Sequence, residues 1–134
     1  MQRQVINTPA TQGMYDTFHF AQATRVGDTI WVSGQTGLDP TTLTAADGME
    51  AQARLAFEGI EAALAAAGAT MADIVELVSF HTDLRGDMRA FSAVKDEYLP
   101  ADYPSWTAVG VTQLAVENLL VEVRAVAVAG SGSD

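Results

Sequence analysis

The sequence predicts one α+β domain, a sheet of five or six strands with two helices on one of its faces. One long apolar stripe at helical spacing, and a second segment bounded by a capping aspartate and a proline, lie among runs rich in β-branched and aromatic residues. Turn-forming residues separate the runs. The chain has 134 residues, of which 49% are hydrophobic and 18% charged, so it can bury a real core and falls outside the range of disordered chains.

From the N-terminus, Gln2 to Ile6 can extend, and Asn7-Thr8-Pro9 reads as a turn. Phe18 to Val26 and Thr29 to Gly34 are strand-like runs joined by Gly27-Asp28, which predicts a tight hairpin. In the second run Ile30 and Val32 face one way, and Thr29, Trp31 and Ser33 the other. Gly37 to Pro40 and the Thr-rich stretch behind it form a loop. A helix is expected from Asp47 to Ala67. Met49, Ala53, Ala56, Phe57, Ile60, Ala63, Leu64 and Ala67 make its stripe, and Gly68 stops it. Ile74 to Asp83 reads as a strand with both faces apolar. A second helix spans Asp87 to Leu99, with Asp87 as its cap and Pro100 beyond its end. Trp106 to Val111 and Leu119 to Val128 are the last strands. Residues 1–129 therefore form one domain, and 130–134 a flexible tail.

The last strand carries a wholly apolar row, Leu119, Val121, Val123, Ala125 and Ala127, suited to lie beneath the helices. Its other row, Leu120, Glu122, Arg124, Val126 and Val128, is also largely apolar. Two helices cannot cover both sheet faces. Another subunit is the expected cover, and polar groups at such a seam can make a pocket for a small molecule.

Charge narrows the partners. Seven Lys plus Arg against 17 Asp plus Glu give −10, with Lys95 the sole lysine, which opposes binding to nucleic acid or to an anionic membrane surface. There is no cysteine, which excludes disulfides, thiolate catalysis and Cys-rich metal sites. No secretory signal or membrane-spanning run is visible, so a cytoplasmic location is expected. The two histidines, His19 and His81, are too few for a His-rich metal site, and no metal or cofactor is expected.

The chain resembles the YjgF/Rid family from about Val5 to Val128. The likeness rests on Phe20-Ala21-Gln22-Ala23, Val32-Ser33-Gly34-Gln35 with Leu38-Asp39-Pro40, and Gln52-Ala53-Arg54 with Ala66-Ala67-Gly68. It continues through Phe80-x-x-Asp83-Leu84, Tyr103-Pro104 and Val121-Glu122-Val123-x-Ala125. The resemblance implies a chorismate-mutase-like fold and a homotrimer with three inter-subunit clefts. It also implies hydrolysis of reactive imines and enamines to ketones and ammonia.

Under the resemblance, the tyrosine that deaminating members place before the hairpin is Phe20 here. The cleft Ser-Gly is Ser33-Gly34, and a helix-borne asparagine matches Lys95. The family's carboxylate-gripping arginine falls on Trp106 of Pro104-Ser105-Trp106-Thr107, and the residue two positions later is Ala108. The acidic residue that positions water is Glu122, and a second glutamate of many members is Arg124. Indole has a flat apolar face and one N–H but no charge, so Trp106 favours stacking over a carboxylate grip.

Each candidate has a plainer alternative. Glu122 is either a desolvated general base or the partner of Arg124 or of another subunit's arginine. Lys95 either restores the missing positive charge or is a solvated surface lysine. Trp106 either stacks on a ligand or anchors an interface. His81 and His19 read as network or surface residues, and Ser33 and Gly34 as shaping the cleft with backbone donors there and at Thr107. The expected function is hydrolysis or tautomerisation of a small imine, enamine or related carbonyl compound, with Glu122 activating water. A catalytically silent metabolite-binding or protein-interaction module is the alternative. Endoribonuclease activity comes third, because the charge opposes it.

Overall fold

The computed structural model describes residues 2–132. Six strands form one sheet: β1 (Gln4–Ile6), β2 (Ala23–Val26), β3 (Thr29–Thr36), β4 (Ile74–His81), β5 (Ser105–Gly110) and β6 (Val121–Val128). Their spatial order is β1-β2-β3-β6-β4-β5, antiparallel except for the β4–β5 pair. That parallel pair is joined by the crossover helix α3 (Leu84–Tyr98), as parallel neighbours require. The long helix α2 (Met49–Ala67) packs on the same face, so the expected α+β layering holds.

The α2 stripe is buried as its spacing predicts, with Phe57, Ile60 and Leu64 fully enclosed. Gly68 ends the helix in the left-handed region at φ 88°, and the Arg25 guanidinium donates to the Ala67 carbonyl at 2.6 Å. Gln52 is the polar member of the stripe. Its amide donates to the Ala46 and Asn118 carbonyls at 2.9 and 3.0 Å and accepts from the Leu120 amide at 2.7 Å. The loop that delivers the chain into β6 is thereby clamped to α2. The buried row of β6 is Val121, Val123, Ala125 and Ala127, and the hairpin turns at Gly27-Asp28 with Val26 opposite Thr29.

Several boundaries differ from expectation. A short helix, α1 (Gln12–Phe18), occupies the segment where the sequence suggested the approach to a strand, so there are three helices rather than two. It buries no residue and thus leaves no apolar stripe to read. His19, at φ 63°, ends it, and the strand begins at Ala23, not Phe18. Helix α3 starts one turn early, with Asp83 rather than Asp87 at its N-cap position. The expected flexible tail includes positions 133–134, which lie outside the described residues. Gly132 donates its backbone N–H to the Asp73 carboxylate at 2.9 Å, folding residues 130–132 back onto the turn before β4. No helix among the described residues is long and apolar enough to cross a membrane.

Candidate functional site

The sheet register sorts the candidate residues between two faces. Leu77, Ser79 and His81 of β4 point toward the helices with Val121, Val123 and Ala125 of β6. Trp106 and Ala108 pair with Leu77 and Ser79, so they share the helix face. Glu122 pairs with Phe80, Arg124 with Val78, and Val78 in turn with Thr107, which puts Glu122, Arg124 and Thr107 on the opposite, open face. Trp106 and Glu122 of one chain therefore do not meet. The candidate residues form two groups.

On the open face, the β3–β6 register passes from Val32 opposite Ala125 to Gln35 opposite Val123. Ser33 and Gly34 together oppose Arg124. This is a β-bulge, and it removes backbone groups from the ladder. The Ser33 hydroxyl donates to the Ala21 carbonyl at 2.7 Å, and the Ser33 amide donates to the Gln22 carbonyl at 2.8 Å. These bonds fix the Phe20–Gln22 segment beside the bulge and commit the hydroxyl to the backbone. The Glu122 carboxylate lies over Gly34, where a β-carbon would overlap it. Glycine is needed there for space, since its φ lies outside the left-handed region.

Glu122 is half-buried and has no ion-pair partner among the described residues. The expected alternative of a pair with Arg124 in the same chain is therefore not what the structure shows. Burial alone pushes the Glu122 carboxyl above its ordinary range, toward that of a general base. Thr107 and Phe20 are exposed, and Trp31, 45% exposed, extends this face toward the β2 side.

The helix-face group centres on Trp106. Its indole N–H donates to the Ser79 hydroxyl oxygen at 2.9 Å, and Ser79 in turn lies 2.8 Å from His81 Nε2. Phe91 of α3 packs between them, with centroids 4.9 Å from His81 and 5.9 Å from Trp106. The Lys95 ammonium sits 4.9 Å over the Trp106 ring and 5.7 Å over that of Tyr103, and bonds the Asp96 carboxylate at 3.1 Å. Lys95 is thus buried rather than solvated, and its charge is balanced. His81 is fully enclosed, with Nδ1 unpartnered, and burial pushes its imidazole down toward the neutral form against the opposing pull of Asp87. Sequence reading missed Ser79 and Tyr103 as members of this group. Ser79 joins Trp106 through the parallel β4–β5 register, and Tyr103, just before β5, joins through the Lys95 ammonium. Among the described residues, no three His, Asp or Glu side chains gather closely enough to hold a metal ion.

A mixed six-stranded sheet with α2 and α3 on one face, and a half-buried carboxylate over a glycine bulge on the other with no ion pair among the described residues, defines a class of small α+β proteins with a polar site on a largely apolar sheet. The family model described as Endoribonuclease L-PSP matches residues 11–129, and the chain belongs to this family, the YjgF/Rid family. It is 38% identical over 126 residues to the RutC family protein YjgH of Escherichia coli, covering 93% of this chain and 95% of that one. Over 125 residues it is 32% identical to the 2-iminobutanoate/2-iminopropanoate deaminase of Salmonella typhimurium, covering 91% and 92%. A solved structure of a protein YJGH superposes with a TM-score of 0.86 at 37% identity, covering 96% of this chain and 98% of that one.

Proposed function

We propose that this protein hydrolyses small imines or enamines to the carbonyl compound and ammonia, with Glu122 holding or deprotonating the attacking water. The observation that carries this is the Glu122 carboxyl itself, half-buried, raised by burial and without an ion pair, lying over Gly34. Burial disfavours the charged form of this carboxyl and so makes it a better proton acceptor than a solvated glutamate. Water adds to the C=N carbon, its proton passes through Glu122 to nitrogen, and the carbinolamine collapses to C=O and NH3. With the Ser33 amide and hydroxyl given to the Gln22 and Ala21 carbonyls, the Gly34 backbone at the bulge is the donor suited to polarise the electrophile. The similarity to a named 2-iminobutanoate/2-iminopropanoate deaminase supports the same reading.

The proposed assembly is a homotrimer. In its clefts the Glu122 group of one copy faces the Trp106–Lys95 group of the next, which brings together what the sheet separates within a chain. Trp106 then offers a flat wall, because its N–H is already given to Ser79. That same commitment, with Phe20 lacking a hydroxyl, favours the second reading, a metabolite-binding member without turnover.

The test is ketone and ammonia release from freshly generated 2-iminobutanoate, in wild type and Glu122→Gln. The variant is expected to remain folded and lose roughly 10²–10⁴ in rate. An unchanged rate removes Glu122 from the chemistry, and a wild type inactive on a panel of imines supports the binding role.

A further inference from the structure

We propose that the cavity at the N-terminal ends of β4 and β5 is a binding site for a small organic amine. It holds about 630 Å³, within the range of small-molecule sites. Ile74 and Val75 open β4 and Ser105 opens β5, and the parallel pairing brings both strand starts to one end of the sheet. The loop from Leu99 to Pro104, between α3 and β5, forms a second wall, stiffened by Pro100 and Pro104. Residues 131–132 form a third. Gly132 donates to the Asp73 carboxylate at 2.9 Å and packs on Ala72 so tightly that a β-carbon would overlap the Ala72 carbonyl. Neither Glu122 nor Trp106 lines the cavity.

The chemistry of the walls selects a cation with an apolar body. Met71, Ile74, Val75 and Leu99 supply apolar surface. Asp102 lines the cavity with no ion pair among the described residues, and no lysine or arginine among them lines it. Tyr98 and Tyr103 add aromatic rings, and the Tyr103 ring already attracts one ammonium, that of Lys95 at 5.7 Å. Asp96 balances that lysine at 3.1 Å. Leu99 caps the C-terminal end of α3, whose free carbonyls add negative potential. The Tyr98 hydroxyl is raised first by burial and then by the Glu58 charge, with Glu61 adding and Arg54 opposing. Arg54 is itself held by Glu97 and Glu50. An anion would thus face a carboxylate and a helix C-terminus with no cation on the walls, and a neutral ligand would leave both unused.

Amide NMR titration of the full chain with phenethylamine, 2-phenylethanol and 3-phenylpropanoate tests charge and place together. Phenethylamine should shift the Ala101, Asp102, Ser131 and Gly132 amides. It should bind about tenfold more tightly than the alcohol, as one cation–π contact and one exposed ion pair together supply. The propanoate should bind weakest. Asp102→Asn and Tyr103→Leu should each narrow the advantage of the amine about threefold. Asparagine keeps the left-handed backbone of Asp102 at φ 50°, and Tyr103 is 69% exposed, so both variants should fold. Equal affinity for amine and alcohol overturns the ligand class. Shifts confined to Ser33, Gly34 and Glu122, or no saturable shift with any probe, overturn the site, as does an amine preference unchanged in both folded variants.

Discussion

Replacing Gly34 by alanine separates the position of the Glu122 carboxylate from the fold. A β-carbon there would lie 2.6 Å from Glu122 Cδ and 2.9 Å from Cγ, and closer still to the carboxylate oxygen. Real contacts are never that short, so Glu122 must swing away. The obstructing atoms are the end of a flexible, half-buried side chain, so the overpacking cost belongs at the low end of the usual range, about 1 kcal/mol. The backbone at Gly34 is outside the left-handed region, so alanine fits it and gains about 0.4–1 kcal/mol by restricting the unfolded chain. The net loss is at most about 0.6 kcal/mol, or roughly 2 °C in Tm for a domain of this size. Turnover of 2-iminobutanoate should nevertheless fall by roughly 10²–10⁴, as though the base had been removed. Gly13→Ala, on the exposed α1 with nothing within 4 Å of the new carbon, is the control and should leave the rate unchanged. The double variant Gly34→Ala/Glu122→Gln should be no slower than Glu122→Gln alone, because both changes remove one group. Wild-type turnover in folded Gly34→Ala would refute the placement of the base over the bulge.

The remaining predictions concern charge. Burial raises the Glu122 carboxyl above its unfolded value of 4.5, so the folded protein holds this proton more tightly than the unfolded chain. Its contribution is fully present below that value and is lost as pH rises through the folded one. Urea melts between pH 4 and 8 should show Glu122→Gln gaining stability relative to wild type as pH climbs, and a relative gain by wild type would reveal an ion pair. Trp106→Arg places a guanidinium beside the Lys95 ammonium, which now lies 4.9 Å over the indole ring. It should destabilise by more in the wild-type background than in Lys95→Asn, with a coupling of about 1 kcal/mol from the lost cation–π contact and the new repulsion. Strictly additive effects in the same melts would mean that Lys95 and Trp106 do not sense each other.

Elements whose burial imposes a period were legible in the sequence. The α2 stripe and the alternating rows of β6 emerge as read because a helix or strand with one covered face repeats its polarity. The exposed α1 buries nothing and leaves no period. The start of α3 was misplaced because two aspartates, Asp83 and Asp87, sit one turn apart, and either is a plausible cap. In β4 both rows are apolar, so nothing in its own residues says that Ser79 and His81 point toward the helices. The bulge is subtler. Alternation placed Trp31 and Ser33 on one face, but reading past Ser33 fails because Ser33 and Gly34 share a single partner. A glycine inside a strand was the available signal for that irregularity.

The location of each cation follows from the face its strand or helix gives it. On the helix face, Lys95 is covered by α3 and aromatic rings, so its charge needs a local counter-ion, and Asp96 supplies it. A second cation at position 106 would stand beside the Lys95 ammonium, whereas indole there carries no charge, joins the Ser79–His81 chain and packs on Phe91. On the open face the constraint reverses. Arg124 is exposed in the single chain, and Glu122, half-buried over Gly34, makes no ion pair with it. An ion pair between them would hold Glu122 low; its absence leaves burial to raise the carboxyl. The separation of Glu122 from Arg124 thus matters to the proposed chemistry as much as the burial of Glu122 itself.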